Sequence, residues 1–238
     1  MNESYKKILH LDFDGVCVDA PIPMKTFIGL LTKSFNTDYE QDTVPTIEEA
    51  GKYSGNTLLA ALEFVRHAAR STKYWLPYTV SKLNQCFDEI HVVSGRTPQL
   101  RSLTYNQLTD AGIVVFNSDM PSEGPIYQST QPVWGAILQP YVHGIHLNTT
   151  RLSSSKFKAA MVQERVSEGY MVDCVEDDLK AALSMAYIDP DLVHVHLINN
   201  RSNDPWLLRR NTIDLPPNIT RADSLHEVVK YVVYHHQE

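Results

Sequence analysis

The sequence predicts an α/β protein, a three-layer Rossmann-like parallel sheet carrying a small helical cap insert. Three observations predict it. Short apolar runs around 8–13, 90–93, 113–116, 170–175 and 193–198 alternate with helical patterns, the order that builds a parallel sheet with helices on both faces. Chemistry-bearing residues, Asp12, Asp14 and Ser94, stand where two of these runs end, and such sheets bind their ligands at the carboxyl ends of strands. A long helical stretch separates the first run from the second.

Composition bounds the reading. A chain of 238 residues with 43% hydrophobic content can bury a full core, as one large domain or a domain plus an insert. Its 21 basic and 28 acidic residues give a net charge of −7, which argues against an extended basic surface for long nucleic acid and leaves room for a local basic groove. Cys17, Cys86 and Cys174 lie far apart and are odd in number, so they read as buried thiols rather than a disulfide framework. The start, MNESYKK, leads directly into the first strand, and no apolar run approaches membrane-spanning length. The expectation is a soluble, cytoplasmic protein without a membrane partner.

After the first strand, Pro21 and Pro23 precede a periodic apolar stretch over 24–35. A polar segment follows, and then a stronger helix over 57–70 with Leu58, Ala61, Leu62 and Val65 on one face. Residues 21–76 therefore read as a helical cap set into a core made of 1–20 and 77–238; such caps close over active sites and exclude water. Pro77 ends the insert. A helix over 78–87 leads to a strand over 89–94, and a helix over 99–110 leads to the strand 113–116. Between 117 and 155, Pro121, Pro125, Pro132 and Pro140 interrupt the pattern; a brief helix over 133–138 and a strand over 142–147 fit there. That segment reads as a second small insert or as a long loop packed on the core. Helices over 154–168, 179–187 and 224–234 complete the chain, the last with Leu225, Val228, Val229 and Val232 as its apolar face.

The chemistry begins at Asp12 and Asp14. Successive strand side chains point to opposite faces, so the pair shares a side if the extension holds through both, and Gly15 allows a sharp turn afterwards. Two carboxylates this close repel each other, which calls for a cation between them or a proton kept on one. A metal-assisted phosphoryl transfer site has this character, with Asp12 attacking phosphorus and Asp14 handling the proton. The plain alternative is an acidic turn closing a strand.

The run KILHLDFDGVCVDA, residues 7–20, resembles the first motif of the haloacid dehalogenase-like (HAD) phosphohydrolases. Ser94 matches that family's second motif, Lys156 its third, and Glu176-Asp177-Asp178 its acidic fourth, in the family's order. The resemblance covers about 7–20 and 88–200 and leaves the cap aside. It implies an aspartyl-phosphate formed on Asp12, with Asp14 as acid and base. A magnesium ion (Mg2+) would be held by Asp12, the backbone carbonyl of Asp14, and Asp177, with Glu176 or Asp178 assisting. Ser94, the backbone of Gly95 and Lys156 would hold phosphoryl oxygens, and Lys158 competes for the lysine's place. The acid at Asp14 separates a phosphatase from the family's dehalogenases. Each match also has an ordinary reading: Ser94 as a helix cap, Lys156 as a solvated lysine, and the three acids as partners of a helix dipole.

Arg96 adds a hint of specificity, because its planar fork binds phosphate or carboxylate, and Ser94-Gly95-Arg96 is similar to a segment of some polynucleotide 3′-phosphatases. An arginine facing solvent fits equally. Arg66, Arg70 and Lys73 lie at helical spacing and could face an anionic substrate, although a solvated face is the commoner arrangement. His143, His194 and His196 read as ordinary strand histidines, since no third ligand stands at zinc-like spacing. The leading expectation is a magnesium-dependent phosphohydrolase acting on a small phosphorylated substrate, a nucleotide or sugar phosphate. A polynucleotide 3′-phosphatase and a non-catalytic binding protein of the same fold are the alternatives.

Overall fold

A parallel sheet frames the molecule, as expected from the alternation of apolar runs and helices, and among the described residues it has seven strands. The computed structural model describes residues 5–19, 67–117, 139–150, 152–198 and 214–235. Its sheet comprises β1 (Lys6–Asp12), β4 (Glu89–Ser94), β5 (Val114–Asn117), β6 (Tyr141–Leu147), β7 (Tyr170–Glu176), β8 (Val193–Ile198) and β9 (Ile219–Ala222). Two further two-residue strands, β2 (Val18–Asp19) and β3 (Ser71–Thr72), pair antiparallel just beyond the end of β1. The spatial order is β5-β6-β4-β1-β7-β8-β9. From β1 the chain fills one side of the sheet, then returns and fills the other. This places the topological switch at β1, with the ends of β4 and β7 on either side of it.

Among the described residues five α-helices cover the sheet: α1 (Leu76–Leu83), α2 (Arg101–Asp110), α3 (Ser154–Ser167), α4 (Leu179–Ala186) and α5 (Leu225–His235). Strand side chains alternate between two buried clusters, as the period of two requires. Leu9, Leu11, Val92 and Val175 pack with Leu76 and Val80 of α1, Leu108 of α2, and Leu225, Val228 and Val232 of α5. On the other side, Val172, Cys174, Val195 and Leu197 pack with Val162 of α3 and with Ala182 and Met185 of α4. Cys17 and Cys174 are buried, and all three cysteines are free thiols.

Three boundaries differ from the expectation. Helix α1 starts at Leu76 instead of 78, because Pro77 fits the first turn of a helix, where its missing N–H is not needed. The strand expected over 142–147 is β6, which lies inside the sheet between β4 and β5. The stretch 117–155 is therefore not a separate insert from Tyr141 onward; that part is core. Finally, Ser71 and Thr72 are extended and pair with β2, so the helical spacing does not continue to Lys73. Residues 20–66, where most of the expected cap falls, and 118–138 lie outside the described residues. No helix among the described residues is long and apolar enough to cross a membrane.

His10, in the middle of β1, is 3% exposed, and neither ring nitrogen has a hydrogen-bond partner among the described residues. Burial, followed by the nearby His91, His146 and Arg165, holds it well below the ordinary histidine range, so the folded protein keeps it neutral. The unfolded chain takes up a proton near pH 6.5, and between that pH and the lower folded pKa it binds one proton more. His10 therefore contributes its full stability above about pH 6.5 and loses up to about 1.4 kcal/mol per pH unit below it. Urea unfolding between pH 7.5 and 5 should show His10→Leu losing less stability than the wild type; parallel losses would contradict a neutral His10.

Candidate active site

Strand β1 stops at Asp12 and the chain turns at once. Phe13 accepts the backbone N–H groups of Cys17 and Val18, Gly15 takes a φ of 89° that its missing side chain permits, and its N–H bonds back to Val18. The extension thus does not reach Asp14, and the two acids look into different surroundings. Asp12 is 6% exposed; its Oδ1 accepts from its neighbour's amide, Phe13 N, at 2.8 Å, and its backbone carbonyl accepts the Cys17 thiol at 3.2 Å.

The end of β7 meets Asp12 from the adjacent strand. Oxygens of Asp12, Glu176 and Asp177 all lie within 4.8 Å of one another. The cation among them is Lys158, whose Nζ stands 2.9 Å from Asp12 Oδ1 and 2.7 Å from Glu176 Oε2. Burial works against the lysine's charge, but Asp12 and Glu176 outweigh it and hold the ammonium form. Even so, burial and the neighbouring Glu176 push the Asp12 carboxyl well above the usual range, with Lys158 opposing. One ammonium does not balance three buried or half-buried carboxylates, and these hard oxygen donors are what a magnesium ion takes. The site fits that cation. Glu176 is already committed, since its other oxygen accepts the amides of Asp177 and Asp178; Asp12 and Asp177 are the side chains that would hold the ion.

Two expected residues stand elsewhere. Lys156 is exposed on the first turn of α3, where its own amide is capped by Ser153, so the lysine that reaches the carboxylates is Lys158 and not Lys156. The helical period carries the signal: Ser155, Lys158 and Val162 fall on one buried stripe at spacings of three and four. Asp178 is exposed and caps α4 by accepting the Ala181 amide at Oδ1, 2.8 Å away; it stands outside the cluster of Asp12, Glu176 and Asp177.

Ser94 closes β4, next to β1, with 1% exposure. Its hydroxyl accepts the Arg96 amide at 3.2 Å. Gly95 lies against the first turn of α3: a Cβ there would stand 2.8 Å from the Cβ of Ser154 and closer still to its hydroxyl. The loop after β6 is fixed to the same place, with Asn148 N donating to the Arg96 carbonyl at 3.0 Å. The ends of β1, β4 and β7 and the start of α3 thus converge on one spot.

Arg96 is the largest fully buried side chain among the described residues. Its Nε and Nη2 fork onto Asp14 Oδ2 and Oδ1 at 2.9 and 2.8 Å, and its Nη1 donates to Thr104 Oγ1 and Gln107 Oε1. The guanidinium also lies 4.4 Å from the Phe13 ring centre. Arg96 is therefore spent on the protein itself, and the expectation that it binds substrate directly is corrected. Arg70 donates to the same Asp14 Oδ1 at 2.5 Å, and His67 Nδ1 is 3.5 Å from it. Gln107 binds the carbonyls of His67 and Arg70, fastening that segment to α2. Burial would raise the Asp14 carboxyl, but the His67 hydrogen bond and the guanidinium groups of Arg70 and Arg96 outweigh it and hold it well below the usual range.

Lys73 donates from Nζ to the Gly15 carbonyl at 2.6 Å. The solvated face expected for Arg70 and Lys73 is thus replaced by contacts with the Asp12–Gly15 loop; Arg66 lies outside the described residues. His67, Thr104 and Gln107 carry no sequence signal for this site, because they meet only through the fold. His194 and His196 bond Thr220 and Asp173, and the acidic trio is the one metal-type cluster among the described residues.

This architecture recurs in solved structures. A phosphonoacetaldehyde hydrolase-like protein from Oleispira antarctica matches at TM-score 0.57 and 11% identity over 98% of this chain and 94% of its own. A haloacid dehalogenase-like family hydrolase from Xanthomonas campestris matches at 0.54 and 6% identity over 98% of both chains. The fold is haloacid dehalogenase-like. A HAD family hydrolase from Deinococcus radiodurans, with bound phosphate and sodium, shares this HAD-like fold at 0.51 and 10% identity over 99% and 98% of the two chains. No protein-family profile and no curated protein sequence matches the chain.

Removing the buried ammonium separates the two lysines. Lys158→Ala, unfolded with urea in the presence of chelator, should lose about 3–5 kcal/mol because two buried carboxylates lose their partner. Lys156→Ala should stay within about 0.5 kcal/mol of the wild type.

Proposed function

We propose that the protein is a HAD-type, magnesium-dependent phosphohydrolase that cleaves phosphate monoesters of a small metabolite, a nucleotide or sugar phosphate, in the cytoplasm. The observation that carries this reading is the placement of Asp12: a buried carboxylate at the switch of a parallel sheet, with Lys158 beside it and Ser94 on the adjacent strand end. A phosphate dianion repels an attacking carboxylate, so the site needs positive charge, and a magnesium ion bound by Asp12 and Asp177 would supply it.

Asp12 Oδ attacks phosphorus and the ester P–O bond breaks, leaving an aspartyl-phosphate on Asp12. Asp14, which its guanidinium partners hold ionised in the structure, takes up a proton from water as substrate binding loosens those partners, and gives it to the leaving oxygen. Water then attacks phosphorus, Asp14 takes that proton, and phosphate leaves as the Asp12 carboxylate is restored. The Ser94 hydroxyl and the Lys158 ammonium bear the phosphoryl charge. A polynucleotide 3′-phosphatase draws its support from Arg96 as a phosphate ligand, and an arginine engaged on Asp14, Thr104 and Gln107 offers little to it. The binding-protein alternative is weakened by the assembly of Asp12, Lys158, Glu176 and Asp177 in one place.

Phosphate release from nucleotides and sugar phosphates should require magnesium and stop with chelator. Asp12→Asn should lower it about a thousandfold or more while the protein stays folded, as an unchanged far-ultraviolet circular dichroism spectrum would show. Wild-type rates in that variant would refute the mechanism.

A further inference from the structure

The charge around Asp14 does not balance. Two arginines and His67 face one carboxylate, and three of their donors converge on the single oxygen Oδ1, while Oδ2 takes only Arg96 Nε. An acceptor oxygen with two lone pairs holds two donors well; the weakest of the three is His67 Nδ1 at 3.5 Å, and Arg70 Nη1 at 2.5 Å is the shortest. Arg96 has nothing left for a ligand: its side chain is fully buried and fixed by four hydrogen bonds and the Phe13 ring. Arg70 is 12% exposed and, among the described residues, makes its side-chain hydrogen bond through Nη1 alone and has a buried Nε without a partner. Of the cationic side chains on Asp14 it is the one that both reaches solvent and has donors to spare.

Its position says which part of a substrate it would meet. The phosphoryl group belongs at Asp12, with Ser94 and Lys158. Asp14 stands at the leaving oxygen, and Arg70 is one hydrogen bond beyond Asp14, on the leaving-group side. A guanidinium there matches a carboxylate or second phosphate within a few bonds of the ester oxygen. Resting on the phosphohydrolase reading, we infer that Arg70 sets specificity for phosphate monoesters whose leaving group carries its own anion. Asp14 occupies Arg70 in the structure, and an incoming substrate anion takes Arg70 over.

The test measures binding without turnover, in the Asp12→Asn protein with magnesium, by calorimetry. The probes are two matched pairs: 2-phosphoglycolate with ethyl phosphate, and 3-phosphoglycerate with glycerol 3-phosphate. At least one carboxylate-bearing ester should bind about ten- to a hundredfold more tightly than its neutral partner. Adding Arg70→Gln should erase that preference and Arg70→Lys should restore part of it, while inorganic phosphate binds all three proteins alike. Binding without a preference, or a preference that survives Arg70→Gln, overturns the inference and leaves the phosphohydrolase reading standing. Failure of every ester and of inorganic phosphate to bind overturns both.

Discussion

A carboxylate in a dry sheet is the constraint the rest of this molecule answers to. Asp12 ends a strand flanked on both sides, and Glu176 ends the strand beside it. Neither could remain charged alone at that depth, since removing a carboxylate from water costs several kcal/mol. The Lys158 ammonium makes the arrangement tenable by touching both. Its reach fixes where α3 begins, and α3 fixes Ser154 against Gly95 at the end of β4. One ion contact thereby ties three strand ends and a helix start together.

A second centre of opposite sign stands a few residues away. Around Asp14 positive charge is in excess, and the ring of Arg96, Gln107, Arg70 and Asp14 links β4, α2 and the segment before β3. The site is therefore polar in the electrical sense: negative around Asp12, Glu176 and Asp177, positive around Asp14. On the proposed phosphohydrolase reading, a phosphate ester arriving with a divalent ion would present the complementary pair.

Some of this is legible in the residues alone. β1, β4 and β7 show themselves because each is an apolar run that must be buried and each ends in a polar residue, Asp12, Ser94 or Glu176, that the sheet delivers to one edge; β8 shows itself by its valines and the apolar Leu197-Ile198 that close it. β6 is ambiguous because Pro140 and Gly144 weaken its pattern, and its place between β4 and β5 follows from pairing that no local run encodes. β9 is four residues long with an outward arginine, too little to register. β2 and β3 exist only as each other's partners. Lys158 is readable from helical period once Ser153 is taken as the cap, whereas motif spacing favours Lys156. Arg96 is the instructive case: next to Ser94-Gly95 it resembles a substrate ligand, and only the joint presence of Asp14, Thr104 and Gln107, drawn from two other segments, turns it inward.

The strand order also carries a temporal meaning. β1 is made first, yet its two neighbours arrive at residues 89–94 and 170–176, and β5 cannot join the sheet until β6 has been made to stand between it and β4. Contacts this distant in sequence form late. While the chain is being synthesised, Asp12 keeps water around it on the β7 side until the stretch bearing Lys158 and Glu176 has emerged. The counter-ion and the burial come from one stretch, residues 158–176, so the acid is not enclosed before its partner exists.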